Sequence, residues 1–300
     1  MADCPLLRLG AVAALRNSAR PAFDHPTKVR LTMKCLLVAD LHYALKQYDW
    51  LMHAAPGFDV VIIAGDHLDL SSHVPRPAQI VVILKYLQRL RAMTTLVTCS
   101  GNHDLDALTA DGEKTARWFS DIRGMGIPAD GDSLMIDGTL FTVCPWWDGP
   151  VTRAAVGAHF ARDAAKEKKR WVWVYHAPPA DSPTSWDGKR SYGDKELTQW
   201  IVEYRPDLVF SGHVHHAPVQ PGGSWIDRIG STLVFNAGYQ LGPMPACVVV
   251  DTDAEAILWL STTRLEQARL GATEPHHAER LTEIPAWFTA ADRILGPAPQ

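Results

Sequence analysis

The chain has 300 residues, 47% hydrophobic and 21% charged, with a formal net charge of −4. That length supports one large or two small domains with a substantial core. The slight negative charge, without a long basic run, argues against a surface built for nucleic acid, which needs clustered Lys and Arg.

Residues 1–32 show no core pattern and lead into Met33-Lys34 directly before the first strand-like run. They are expected to form a dispensable N-terminal extension, with Met33 as an alternative start. The runs 35–39 and 59–65 read as strands, 78–92 as an amphipathic helix and 94–100 as a strand. The stretch 134–144 reads as a hairpin turning at Asp137-Gly138. Next come a helix over 153–169, a strand over 171–175 and a helix over 194–204 stopped by Arg205-Pro206. The basic residues Lys166–Arg170 suit the C-terminus of the first of these helices, where cations complement the dipole. Four further strands are expected over 207–210, 231–237, 246–251 and 255–260. A βαβα rhythm followed by a strand-rich end implies a mixed α/β layered sandwich. Residues 33–262 form its domain, and 263–300 are expected as a helical C-terminal tail.

The five cysteines, Cys4, Cys35, Cys99, Cys144 and Cys247, contain no CxxC pair, and four lie in apolar runs. They read as buried free thiols in a reducing cytosol. No apolar stretch reaches membrane-spanning length, and the N-terminus lacks a signal-peptide apolar core, so a cytoplasmic protein is expected.

Function is written at the strand ends. Asp40-Leu41-His42 follows the first strand, and Gly65-Asp66-His67-Leu68-Asp69 the second. Gly101-Asn102-His103-Asp104 follows the third, and His176-Ala177-Pro178-Pro179 the strand over 171–175. Gly212-His213-Val214-His215 closes the series. In α/β sheets, ligands bind beyond the carboxyl ends of strands, so these groups can converge. Oxygen and imidazole donors without thiolates suit Mn, Fe, Zn or Ni. Seven such groups (Asp40, His42, Asp66, Asn102, His176, His213 and His215) exceed one tetrahedral ion and suit two.

This order of motifs, D-x-H, G-D-x-x-D, G-N-H-D, H, G-H-x-H, resembles the calcineurin-like metallophosphoesterase superfamily over about residues 33–240. The resemblance implies a four-layer αββα sandwich of two mixed β-sheets flanked by helices. It assigns Asp40, His42 and His215 to a first divalent ion, Asn102, His176 and His213 to a second, and Asp66 as the bridge. It implies hydrolysis of phosphate esters by a hydroxide bridging the ions. His103 would act as general acid, its ring held by Asp69. Asp104 would help orient its loop. A small phosphate ester, nucleotides included, is the implied partner, and homodimers are common for this size and fold.

The Tyr-His-Ala-Pro-Pro stretch resembles cyclic-nucleotide phosphodiesterase-like members and favours diesters. A phosphomonoesterase remains an alternative, as does a metal-binding scaffold without catalysis. A nuclease subunit is disfavoured by the short C-terminal remainder and the negative charge. Trp146 and Trp147 in "CPWWDGP" are candidate substrate contacts, one as a wall and one as a plug, and His67 is another candidate. Trp186 and Tyr192 lie on a loop expected over the site. His216 reads as a surface or supporting residue, and His25, His53, His73, His159, His276 and His277 as solvent or helix-surface residues.

Overall fold

A computed structural model of the chain describes residues 33–271 and 278–296. The proposed extension, Cys4, His25, His276 and His277 lie outside the described residues. The first half runs β1 (Lys34–Val38), α1 (Leu45–Ala54), β2 (Val60–Ala64), α2 (Arg76–Arg91), β3 (Thr95–Cys99), β4 (Ala107–Leu108), β5 (Lys114–Thr115) and α3 (Phe119–Gly124). The middle runs β6 (Ser133–Ile136), β7 (Thr139–Val143), α4 (Pro150–Ala164), β8 (Arg170–Val174), α5 (Lys195–Tyr204) and β9 (Leu208–Ser211). The rest is β10 (Ile226–Ile229), β11 (Thr232–Asn236), β12 (Cys247–Asp251), β13 (Ala256–Leu260), β14 (Leu265–Arg269), β15 (Glu279–Arg280) and α6 (Ala291–Leu295).

Two mixed sheets result. One has the order β15-β14-β13-β12-β1-β2-β3 and the other β10-β11-β9-β8-β7-β6. Strands β1, β2 and β3 run parallel, as do β7, β8, β9 and β11. All five residues of β2, Val-Val-Ile-Ile-Ala, are buried, as expected of a parallel strand covered on both faces. The period of two then sorts side chains between layers. Cys35 and Leu37 meet Phe141, Val143, Val172 and Val174 of the second sheet, while Leu36 and Val38 face α1, α2 and α3. On the far side, Leu140, Trp171 and Trp173 pack against Phe160 of α4 and Ile201 of α5. The expected four-layer αββα sandwich is therefore present.

The hairpin turns where the sequence places it. Asp137 and Gly138 both have positive φ, 46° and 81°, the signature of a two-residue type I′ turn. Lys168 donates to the carbonyls of Asp163 and Ala164 at 2.9 Å, satisfying the open end of α4. Cys35, Cys99, Cys144 and Cys247 are free and buried. No described helix is long and apolar enough to cross a membrane.

Three expectations are corrected. The tail over 263–300 is not simply helical. β14 pairs antiparallel with β13, and β15 with β14, before the short α6 packs on the α1 layer. The β14 sequence, Leu-Glu-Gln-Ala-Arg, shows no clear alternation; pairing to β13 and β15 holds it, with Leu265 and Ala268 half-buried against the two cores. His159 is not on an open helix surface. It is buried, with Nε2 2.9 Å from Ser133 Oγ, beside an Asp163 carboxylate that also takes Ser133 and Thr142.

His67 does not line a substrate cavity. It is fully buried, with Nδ1 2.8 Å from the Tyr48 hydroxyl and Nε2 2.7 Å from Thr98 Oγ1, edge-on to Trp118 and Phe119. Because Asp66 turns toward the strand ends, its neighbour is directed into the core. Burial pulls the His67 imidazole down to about 3.

The loops after β2 and β3 are joined through Asp104. Its carboxyl is fully buried and accepts from the backbone N–H of His67, Leu68 and Gly101 at 2.9–3.1 Å. Burial, then the charge of Asp66, pushes this carboxyl well above the usual range. Asp104→Ala leaves three buried donors unpaired, so a loss of about 3 kcal/mol or more in chemical denaturation is expected. A loss near zero would mean that the loops hold without it. His67 generates a pH prediction. The folded imidazole stays neutral down to about 3, whereas an unfolded one protonates near the ordinary value of about 6.5. Its contribution is fully present above about pH 6.5 and declines as pH falls toward the folded value. Wild type should therefore lose more unfolding free energy than His67→Gln between pH 7 and 5, and equal losses would contradict this account.

Candidate metal centre

The strand ends meet at one edge of the sandwich in an unusual backbone. Asp40, His42, Tyr43, Asp66 and His213 all have positive φ, between 41° and 68°. Non-glycine residues persist there only when their surroundings over-determine them. Here the loops hold one another. Asp40 N–H donates to Gly65 O at 3.2 Å, His42 N–H to Asp66 O and Tyr43 N–H to His67 O at 2.9 Å, and Gly212 N–H to His176 O at 2.8 Å. Two glycines permit this closeness. A Cβ on Gly65, at φ 86°, would strike the His176 ring, and one on Gly101 would strike the Asp66 carboxylate.

The side chains converge. His215 Nε2 lies 3.3 Å and His176 Nε2 3.8 Å from Asp40 Oδ1. His176 Nε2 lies 3.2 Å and His42 Nε2 3.9 Å from Asp66 Oδ2. His42 and His215 bring their Nε2 atoms within 3.0 Å of each other. Three groups have ligand-capable atoms within 4.8 Å: Asp40, His42 and His215; Asp66, His176 and His213; and His42, Asp66 and His103. Asp66 and His42 each belong to two of them.

The donor set fits divalent cations. Among the described residues, Asn102 Oδ1 is buried without a hydrogen-bond partner, a state that polar atoms rarely keep, and His176 Nε2 faces only the carboxylates of Asp66 and Asp40. His176 Nδ1 donates to Ala64 O at 2.6 Å, which leaves Nε2 facing the cluster. His42 Nδ1 lies 3.4 Å from Leu68 O and aims its other nitrogen the same way. The carboxylates are further fixed by backbone donors. His213 N–H reaches both oxygens of Asp40 at 3.0–3.1 Å, and His103 N–H reaches Asp66 Oδ1 at 2.9 Å.

The electrostatics follow from crowding opposite charges out of water. Burial raises the Asp66 carboxyl, but His176 and then His103 and His42 outweigh it and hold it well below the usual range. Burial lowers His176, and Asp66 outweighs that, pushing it up to about 9. His213 is pulled down to about 4 by burial and then by His176. His42 is lowered by burial despite the two carboxylates, and His215 is raised by Asp40 despite its burial.

One expected contact is absent. Asp69 does not hold the His103 ring. Its Oδ1 accepts from the N–H and hydroxyl of Ser71, at 2.8 and 2.6 Å, and its backbone is bracketed by Gln79. A short Asx-type turn satisfies the carboxylate locally. Among the described residues, the buried Nδ1 of His103 has no hydrogen-bond partner, and its ring lies 4.6 Å from that of His42. His216 is exposed, as read.

Trp146 and Trp147 both line a cavity of about 570 Å³ that opens from His213. Trp146 lies 5.1 Å from the His213 ring and 5.7 Å from that of His176. Trp147 is the anchored one, donating through Nε1 to Asp194 Oδ2 at 2.7 Å. Tyr192 also lines this cavity, whereas Trp186 secures its loop through a bond to Pro221 O at 3.0 Å.

Two features escaped the sequence reading. Tyr239 packs its ring 5.6 Å from His42 and 4.8 Å from His215. It follows β11, which is parallel to β9, so the strand-end rule applied to "VFNAGY" would have found it. Asn236, at the end of the same strand, donates to Val214 O at 3.0 Å and pins the His213–His215 loop.

Comparison with known proteins accords with this arrangement. Residues 33–217 match the family description "Calcineurin-like phosphoesterase". The curated proteins contain no match. Among solved structures, TT1561 of Thermus thermophilus aligns with a TM-score of 0.51 at 13% identity, over 80% of this chain and 99% of that one. A metallophosphoesterase from Sphaerobacter thermophilus aligns at 13% identity over 88% of this chain and 94% of its own, with a TM-score of 0.36. YfcE, a phosphoesterase from E. coli, aligns at 15% identity over 82% and 98%, with a TM-score of 0.34. At these identities the first likeness speaks to fold alone and the other two carry no weight. The assignment rests on the family match, which spans more than half of the chain and all five strand-end motifs up to His215. The chain belongs to the calcineurin-like phosphoesterase family.

Proposed function

We propose that the chain is a two-ion phosphoesterase that prefers phosphodiesters. The observation that carries this reading is that Asp40 and Asp66, both buried, converge with the imidazoles of His42, His176, His213 and His215, beside a buried Asn102 oxygen that has no partner among the described residues. Asp40, His42 and His215 would hold one ion, Asn102, His176 and His213 the other, with Asp66 facing both. Ions bound there would acidify water and neutralise charge on the phosphoryl oxygens. Mn, Fe, Zn and Ni all suit these donors.

The chain's own contribution is position and a proton. Backbone N–H groups fix both carboxylates, so the donors need little rearrangement. His103 is partly exposed beside the cluster and is the candidate general acid for the leaving alkoxide. It also falls in a ligand-capable group with His42 and Asp66, so ion counting must accompany kinetics. The cavity opening from His213 supports the diester preference, since it gives room for a second ester group on phosphorus.

Ion binding and turnover both test this reading. Purified protein should bind two equivalents of Mn²⁺ by elemental analysis, with a rise in Tm on loading, because a ligand for the native state stabilises it. Asn102→Ala should retain about one equivalent; full retention would remove Asn102 from the set. With Mn²⁺, bis(p-nitrophenyl) phosphate should be hydrolysed faster than p-nitrophenyl phosphate, and the reverse order would make the enzyme a monoesterase. His103→Ala should lose about 10²–10⁴ in kcat while keeping both ions. Loss of an ion would instead make His103 a ligand.

A further inference from the structure

The cavity beside His213 is an aromatic chamber with acidic edges. Trp146, Trp147, Tyr175 and Tyr192 contribute to its walls. The Trp146 and Tyr175 rings lie nearly parallel, 20° apart at 6.4 Å between centroids. Two of the walls are fixed in advance. Asp194 Oδ2 accepts from Trp147 Nε1 at 2.7 Å and from the Tyr175 hydroxyl at 2.9 Å. Trp146 is held through its N–H to Ser100 Oγ at 3.0 Å. Rigid aromatic surfaces bind at small entropic cost.

The charge of the chamber decides what it accepts. It is lined by Asp148, Asp194, Glu196 and Lys195, with Arg153 over the Trp147 ring at 5.9 Å and paired to Glu196 at 2.8 Å. It sits at the N-terminus of α5, where an anion would ordinarily be welcome. Here that end is already filled, because Asp194 Oδ1 accepts from the N–H of Glu196 and Leu197 at 2.8 and 3.2 Å. The N-terminus of α5 is therefore not free to take a second phosphate. Asp148 uses Oδ2 for Lys114 N–H, and Glu196 uses Oε1 for Arg153. Asp148 Oδ1 and Glu196 Oε2 have no hydrogen-bond partner among the described residues and can accept from a ligand. A volume of about 570 Å³ exceeds what a single small ammonium group fills.

We infer that this chamber receives an uncharged aromatic ring bearing amino donors, a nucleobase such as adenine, carried on one ester arm of the substrate. The inference rests on the phosphoesterase reading for the direction of that arm: phosphorus at the cluster, with the ring beyond His213 and Trp146. The ring stacks on the indoles, and its exocyclic amine donates to the free carboxylate oxygens. Base-on-aromatic stacking is tolerant of base identity, so the amine supplies the discrimination.

The test compares three p-nitrophenyl diesters that share the reactive group, with Mn²⁺ present: adenosine 5′-(p-nitrophenyl phosphate), methyl p-nitrophenyl phosphate and p-nitrophenyl phosphorylcholine. In parallel, binding of adenosine alone is followed by calorimetry. The adenosine ester should exceed the methyl ester at least about tenfold in kcat/KM, as one stacked base allows. In Tyr192→Ala that ratio should fall severalfold. Tyr192 is 42% exposed, so its removal poses little risk to folding. Glu196→Gln, a conservative change, should lower the ratio for adenosine. Equal turnover of the adenosine and methyl esters, without adenosine binding, would overturn the chamber's role and leave the phosphoesterase intact. Preference for the choline ester would replace the ring with a cation and likewise overturn it. Adenosine binding that Tyr192→Ala weakens, with no ester hydrolysed, would uphold the chamber while the phosphoesterase reading fails.

Discussion

Two buried carboxylates, Asp40 and Asp66, are the constraint around which the rest is organised. Neither is exposed to water, and neither is paired with Lys or Arg in the interactions described. An isolated buried carboxylate is very costly. Here imidazoles and backbone N–H groups take up part of that cost, and the geometry they impose is that of a cation site. The left-handed residues, the close-approach glycines and the cross-loop hydrogen bonds all follow from bringing these two side chains together.

The sheets supply the means. Parallel strands place their carboxyl ends at one edge, so the two halves of the sandwich present their loops to the same volume. β1, β2 and β3 contribute Asp40, His42, Asp66, Asn102 and His103 from one sheet. β8 and β9 contribute His176, His213 and His215 from the other. The cavity lined by Trp146, Trp147 and Tyr192 extends the same edge outward to the N-terminus of α5.

Much of this was legible in the sequence. Strands such as "DVVIIAG" are continuous β-branched runs, and the polar residue after each one marks where the sheet ends. The convergence of these residues follows from topology alone. What the sequence did not disclose depends on neighbours distant along the chain. Whether His67 faces solvent or core is decided by Tyr48 and Thr98, and motif spacing does not record them. Asp69 looked like a partner for His103, but Ser71 two residues on takes its oxygen first. The last two strands, β14 and β15, show no clear alternation, and backbone pairing does most to hold them. Tyr239 was within reach of the strand-end rule and was missed because β11 ends in Asn-Ala-Gly-Tyr rather than in His or Asp.

The left-handed backbone of the centre bears on how the chain acquires it. Asp40 and His213 are 173 residues apart and are joined by hydrogen bonds from the second to the carboxylate of the first. Contacts of such long sequence separation form late, since loop closure must come before they reward the chain. A nascent chain that has emerged only through β3 carries a carboxylate-rich half-site without the three later imidazoles. With the proposed ligand set, tight ion uptake would wait for the second sheet to dock. Metal occupancy would then serve as a maturation signal, reporting that both halves of the sandwich have found each other.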